Sequence, residues 1–336
     1  MKRLGVSLLI AGLFLSGFSL WAQQSPASGA PPSQTATPSG PQIQPKSEPH
    51  SEPTVTIRSD VKLVNVFVTV TDERGAPIAG LAKENFDLLE DNHPQKISVF
   101  DKESELPLSI GLAVDTSLST RHDLPIEQTS AKRFAHAIVR PVDGLSVFGF
   151  SEDVNESRST QGYTSDLKRI DEGIDHLRVG AATALFDAIY VVSRSLDKRK
   201  GRKVIVLITD GGDTISRVDY KQAVRAAEEA EALVYSIIIV PIENSAGRET
   251  GGEHALIQLS EDTGGKYYYA TSATQLDDAF RKISDELRTQ YLLAYYPAQH
   301  TSFSEFRRIL VKVAGVPGAA NYRVRHRAGY YTVKSE

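Results

Sequence analysis

A chain of 336 residues with 40% hydrophobic and 24% charged residues has material for roughly two globular domains with packed cores. Its formal net charge of −4 argues against nucleic acid as the main partner, since neutralising phosphates needs a basic face. The absence of cysteine excludes disulfides, thiolate zinc sites, a cysteine nucleophile and lipid attachment through an N-terminal cysteine.

The chain opens like an export signal. Lys2 and Arg3 precede an almost unbroken apolar run from Leu4 to Leu20, and Ala22 offers a small residue for cleavage before Gln23. Removal of residues 1–22 is the expected outcome, giving a periplasmic or secreted protein with no stable membrane span. The alternative is retention as an anchor, because the run is close to the shortest spanning length. Residues 23–53 are rich in Pro, Ser, Gln and Thr and read as a disordered spacer with little to bury.

Strand patterns begin at Thr54. Val64, Val66, Val68 and Val70 alternate with Asn65, Phe67, Thr69 and Thr71, which predicts a half-buried strand. A second strand through Phe86, Leu88 and Leu89 ends in a turn where Glu90 and Asp91 are expected in solvent, and a third puts Ile97 and Val99 on one face. Short strands without a helix indicate a small β-sandwich-like module over residues 54–105.

From residue 106 to 290 strands and helices alternate, which predicts a doubly wound, mostly parallel α/β sheet with helices on both faces. Its strands are expected at Leu108–Val114, Leu145–Phe150, Lys203–Thr209, Leu233–Val240 and Lys266–Ala270, with a polar edge hairpin strand near Glu156–Tyr163. Helices are expected at residues 123–140, Thr183–Leu196, residues 219–232, His254–Thr263 and Ala273–Arg288. The basic run Lys198–Lys203 reads as a solvated cluster at a helix end. Residues 291–336 return to strands at Tyr291–Tyr296, Phe306–Val313 and Tyr322–Val333, which either form a third module or complete the sandwich begun before the α/β unit. The second is favoured, because neither segment alone has many strands to close a core.

Chemistry concentrates where the two most apolar strands end, the usual place for ligands in open α/β sheets. Asp115-Thr116-Ser117-Leu118-Ser119 follows the first, and Thr209-Asp210-Gly211-Gly212-Asp213 closes the second. Between them Gly180-Ala181-Ala182-Thr183 leads into a helix. Asp115, Ser117, Ser119, Thr183 and Asp210 together offer two carboxylates and three hydroxyls, all hard oxygens, a set suited to Mg²⁺ or Mn²⁺ with a position left for a further ligand. Asp213 is a candidate acceptor for metal-bound water or a cap for the turn that follows it.

The pattern Asp115-x-Ser117-x-Ser119, then Thr183, then Asp210 in Thr-Asp-Gly, resembles the metal-ion-dependent adhesion site of von Willebrand factor A domains. The resemblance covers about residues 106–290 and takes in Val147–Ser151 and Gly264–Tyr268. It implies sheet order 3-2-1-4-5-6 with one antiparallel edge strand. It also implies direct metal binding by Ser117 and Ser119, direct or water-mediated binding by Thr183, and mainly water-mediated binding by Asp115 and Asp210. Leu118 and Ala182 stand where the family commonly has glycine. The flanking β modules resemble those beside this domain in exported bacterial proteins of unknown role.

Phosphate-cradling loops, dinucleotide fingerprints and nucleophile elbows are missing from the sequence. The expectation is therefore a binding module whose metal grips an Asp or Glu of a protein or peptide partner. A metal-dependent hydrolase using the same site, or a structural envelope component, are the alternatives.

Overall fold

A computed structural model describes residues 63–102, 106–240, 250–298 and 305–332. The expected export signal and spacer lie outside the described residues.

The first strand, β1 (Val64–Thr71), is followed by β2 (Phe86–Glu90), the short β3 (His93–Pro94) and β4 (Ile97–Lys102). The valines of β1 point into a sandwich core, as their alternation requires. Of the intervening residues only Asn65 is partly exposed, so β1 is not half-exposed. Phe67 belongs to the core of the α/β unit, and Thr69 and Thr71 are covered too. In β4 the expected pairing of faces fails for a local reason. Val99 lies opposite Ala294 and Ile97 opposite Tyr295, so Ser98 is an extra residue in a bulge. Neighbours on one strand face opposite ways, which leaves Ile97 inside and Val99 41% exposed.

The α/β unit runs β5 (Leu108–Asp115), α1 (Leu124–Ile138), β6 (Gly144–Phe150), β7 (Val154–Glu156), α2 (Leu167–Asp175), α3 (Leu185–Asp197), β8 (Arg202–Thr209), α4 (Tyr220–Glu229), β9 (Ala232–Ile239), α5 (Thr250–Thr263), β10 (Lys266–Ala270) and α6 (Ala273–Arg288). The sheet order is β10-β9-β8-β5-β6-β7, parallel except for the antiparallel edge strand β7. Counted within this unit alone, that is the expected order 3-2-1-4-5-6. The two most apolar strands, β5 and β8, sit side by side in its middle, buried by helices on both faces. Helix α2 was not expected from the sequence. Arg202, expected in a solvated run, is buried at the start of β8, donates to the carbonyl of Leu287, and burial lowers its guanidinium to about 10. Among the described residues no helix is long and apolar enough to cross a membrane.

The chain then continues through β11 (Tyr291–Tyr295), β12 (Phe306–Val313), β13 (Arg323–Arg325) and β14 (Gly329–Tyr331). Strand β11 enters between β1 and β4, and β12 pairs with β2. The single strand expected at Tyr322–Val333 is two, because the chain crosses between the sheets: β13 pairs with β1 and β14 with β12. Between them Arg327 donates to the Asn65 carbonyl at 2.6 Å and the Ala328 N–H to that of Asp262 at 2.7 Å, which anchors the crossing. Glu90, expected in solvent, is only 2% exposed. Its Oε2 accepts the hydroxyls of Tyr295 at 2.6 Å and Tyr330 at 2.9 Å inside the sandwich.

Candidate metal-binding site

Asp115 closes β5 and Thr209 closes β8, so adjacent central strands deliver their last side chains to the same end of the sheet. Asp115 is fully buried. Its Oδ1 accepts the Ser117 N–H at 2.8 Å, and its Oδ2 accepts Thr209 Oγ1 at 2.6 Å. Both bonds go to the charged form of the acid and hold it in one orientation. The turn that follows brings Ser117 Oγ and Ser119 Oγ to 2.9 Å from each other. Thr120 locks that turn from below, its hydroxyl donating to the carbonyls of Asp115 at 3.0 Å and Ser117 at 3.1 Å.

The loop carrying Thr183 is stitched to both neighbours. Gly180 N–H donates to the Thr116 carbonyl at 2.8 Å and Ala184 N–H to that of Ser151 at 2.7 Å. On the other side the Thr183 N–H donates to Thr214 Oγ1 at 2.9 Å, and its carbonyl accepts the Thr214 N–H at 2.8 Å. Glycine is required at 180, since a Cβ there would lie 2.2 Å from Ser151 Oγ.

Asp210 is half-buried and its Oδ1 accepts the Gly212 N–H at 3.3 Å. Gly211 has φ +92°, and a Cβ on Gly252 would come within 1.6 Å of its carbonyl oxygen, so the close approach of α5 to this loop needs glycine at 252. Asp213 ties the turn that follows it to the start of α3. Its Oδ1 accepts the Leu185 N–H at 2.9 Å and Ser216 Oγ at 2.5 Å, capping α3, whose own preceding residue Ala184 has no oxygen to offer.

Asp115, Ser117, Ser119, Thr183 and Asp210 therefore stand on three loops that are hydrogen-bonded to one another at one end of the sheet. Exposure rises from Asp115, Ser117 and Thr183, which are buried, through Asp210 to Ser119, which is at the surface. Burial pushes the Asp115 carboxyl up to about 6, with the Asp210 carboxylate adding to the rise and bonds from Thr209 and Ser117 opposing it. A further acid, missed by the sequence reading, lies close enough to feel both. Burial, then the carboxylates of Asp115, Asp123 and Asp210, holds Glu127 well above the usual carboxylate range. Its signal was present in the sequence as a charged residue at a core position of α1, in line with Leu124, Ala131, Phe134 and Ile138.

The donor set fits a hard divalent cation. Among the described residues no group of three or more His, Cys, Asp or Glu side chains forms a ligand set by itself, so a cation here would rely on hydroxyls together with the two aspartates. Buried acids that raise one another are what a bound cation would relieve.

The model of the von Willebrand factor type A domain family matches residues 109–282, just over half of the chain. No curated protein matches it. Among solved structures the chain is similar to the conserved hypothetical protein BatB from Bacteroides thetaiotaomicron, at 18% identity over 54% of this chain and 100% of that one, with a TM-score of 0.44. A von Willebrand factor type A protein from Catenulispora acidiphila is 10% identical over 81% of this chain and 75% of its own, with a TM-score of 0.48. The PilB minor pilin from Streptococcus sanguinis is 14% identical over 55% of this chain and 62% of its own, with a TM-score of 0.44.

Proposed function

Because this chain belongs to the von Willebrand factor type A domain family, a family of protein-interaction modules, we propose that it is an exported adhesion module gripping an Asp or Glu of a protein partner through a divalent cation. The observation that carries the reading is the lacing of three oxygen-bearing loops around the buried, doubly hydrogen-bonded Asp115.

Ser117, Ser119 and Thr183 would hold Mg²⁺ or Mn²⁺ through their hydroxyls, with Asp115 and Asp210 supplying charge. Bound there, the cation supplies an electrophilic position for an incoming carboxylate. The protein's own part is orientation, since the Asp115 and Thr120 bonds fix the serine turn before any ligand arrives. Leu118, 53% exposed within that turn, and Ile215, 43% exposed beside the Thr183 carbonyl, give a partner apolar surface to cover. One metal contact is a small part of a protein interface, so affinity would come from such flanking groups. The apolar start of the chain supports export, with a periplasmic or secreted destination.

The test is calorimetric titration of Mg²⁺ into the full chain, followed by pull-down from an envelope fraction with and without EDTA. The reading expects one cation per chain, lost in Asp115→Ala, and partners retained only when the cation is present. Partner retention that chelation and Asp115→Ala leave unchanged would overturn it.

A further inference from the structure

Helix α1 rises directly out of the serine turn. The N–H groups of Asp123 and Leu124 donate to the Thr120 carbonyl at 2.9 and 3.0 Å, and Thr120 in turn holds the carbonyls of Asp115 and Ser117. The start of the helix and the candidate site are thus one hydrogen-bonded piece. On the buried face of α1, among Leu124, Ser130, Ala131 and Phe134, stands Glu127, 1% exposed.

Both carboxylate oxygens of Glu127 are buried and have no hydrogen-bond partner among the described residues. A buried acid left this way is costly, and it persists only where something offsets it. The ordinary structural role for an acid near a helix start is to reach back and cap it, but a capping acid accepts an N–H and Glu127 accepts none. The charges acting on it are those of Asp115, Asp123 and Asp210, in that order, and all are acids that worsen its position. What its surroundings lack is positive charge, since no cation is among the charges that act on it.

We infer that Glu127 supports the cation site from outside its ligand set, as a buried acid whose charge is balanced only by the bound cation. This rests on the metal-binding reading above and adds to it a residue outside the Asp-x-Ser-x-Ser, Thr and Asp set. The consequence is a third negative charge acting on the cation from beyond its two aspartates, which makes binding firmer. Metal-free protein is destabilised at this point.

The experiment is Mg²⁺ titration by calorimetry, with melting temperatures in EDTA and in Mg²⁺, on the full chain as wild type, Glu127→Gln and Glu127→Asp. Loss of an outer-shell partner of a metal site commonly weakens binding about 10- to 100-fold, and Glu127→Gln is expected in that range. Glu127→Asp, which keeps the charge, is expected to recover most of the loss. In EDTA the Gln variant melts at or above the wild-type temperature, while in Mg²⁺ it melts below. A purely structural glutamate would lower both melting temperatures together and leave Mg²⁺ affinity alone, and that result overturns the inference. If the Gln variant fails to fold, Glu127→Met keeps the volume without the charge and is read in the same way. Wild-type protein that binds no Mg²⁺ would sink the metal-binding reading itself, whereas wild type and Glu127→Gln binding it equally would sink this inference alone.

Discussion

Thr209 Oγ1 donates to Asp115 Oδ2 at 2.6 Å, so the last residues of two adjacent central strands, far apart in sequence, are tied to each other at the floor of the crevice. The same hydroxyl accepts the Gly211 N–H at 3.1 Å and so also fixes the turn that presents Asp210. Thr209→Val keeps the shape and removes both bonds. Leaving a buried acceptor unsatisfied costs about 1–3 kcal/mol, and urea unfolding in EDTA should show a loss of that size. Thr209→Ser should recover most of it, since the hydroxyl and not the methyl carries the effect.

Cation binding should register as stability. A ligand that binds only the folded chain adds about 2.7 kcal/mol at a hundred times its Kd. Wild-type protein in saturating Mg²⁺ is expected to gain on that order in urea unfolding, and Asp115→Ala to gain nothing. An equal gain in both would place the cation elsewhere.

Much of this site could be read in advance because its parts are local. Asp115, Ser117 and Ser119 alternate along one turn, and Asp210 and Thr183 each stand at an element boundary that hydrophobic patterning marks. What escaped depends on partners distant in sequence. Glu127 gains its meaning from Asp115 and Asp210, and Glu90 is buried only because Tyr295 and Tyr330 close over it. Phe67 looked solvent-facing by alternation until the α/β core covered it, and Val99 was turned outward by a bulge no periodicity reveals. Helix α2 is a different case. Asp166 accepts the N–H groups of Lys168 and Arg169, and Leu167, Ile170 and Ile174 follow at helical spacing, a signal that the surrounding polar residues obscured.

A second acid, remote from the crevice, predicts a pH effect. Glu228 on α4 is pushed up from 4.5 to about 7, first by burial and then by the Asp262 carboxylate, with Arg327 opposing. A carboxyl raised on folding contributes stability that is fully present below its unfolded value and is lost as pH rises through its folded one. Wild type and Glu228→Gln should therefore be equally stable near pH 4.5, with the variant drawing ahead towards pH 7 and above. Glu228 is only partly buried, so solvent screening limits the gain to about 1 kcal/mol. Urea unfolding of both proteins across that window measures it, and a constant difference at every pH would count against this assignment.

The sandwich and the α/β unit should unfold together, and one ion pair is the place to test it. Helix α6 ends at Arg288 and β11 begins at Tyr291, so the two structures are joined by a two-residue step through Thr289 and Gln290. Beside that step Glu286, 2% exposed, meets Arg325 of β13 at 2.6 Å and Lys266 of β10 at 3.6 Å, and accepts the Tyr268 hydroxyl at 3.1 Å. Gln290, fully buried, donates to Thr69 of β1 at 3.3 Å, and Phe67 and Leu292 lie in the same apolar cluster as the core of the α/β sheet. With so much of the junction dry, wild type is expected to show a single urea transition by fluorescence and by circular dichroism. Arg325→Met leaves a buried carboxylate with the Tyr268 hydroxyl and a more distant lysine, at a cost of about 3 kcal/mol. The double variant Glu286→Gln with Arg325→Met removes the stranded charge and should lose less than the single one. Two separated transitions in wild type, or a double variant that loses the sum of what the two single variants lose, would mean that this pair does not couple the two structures.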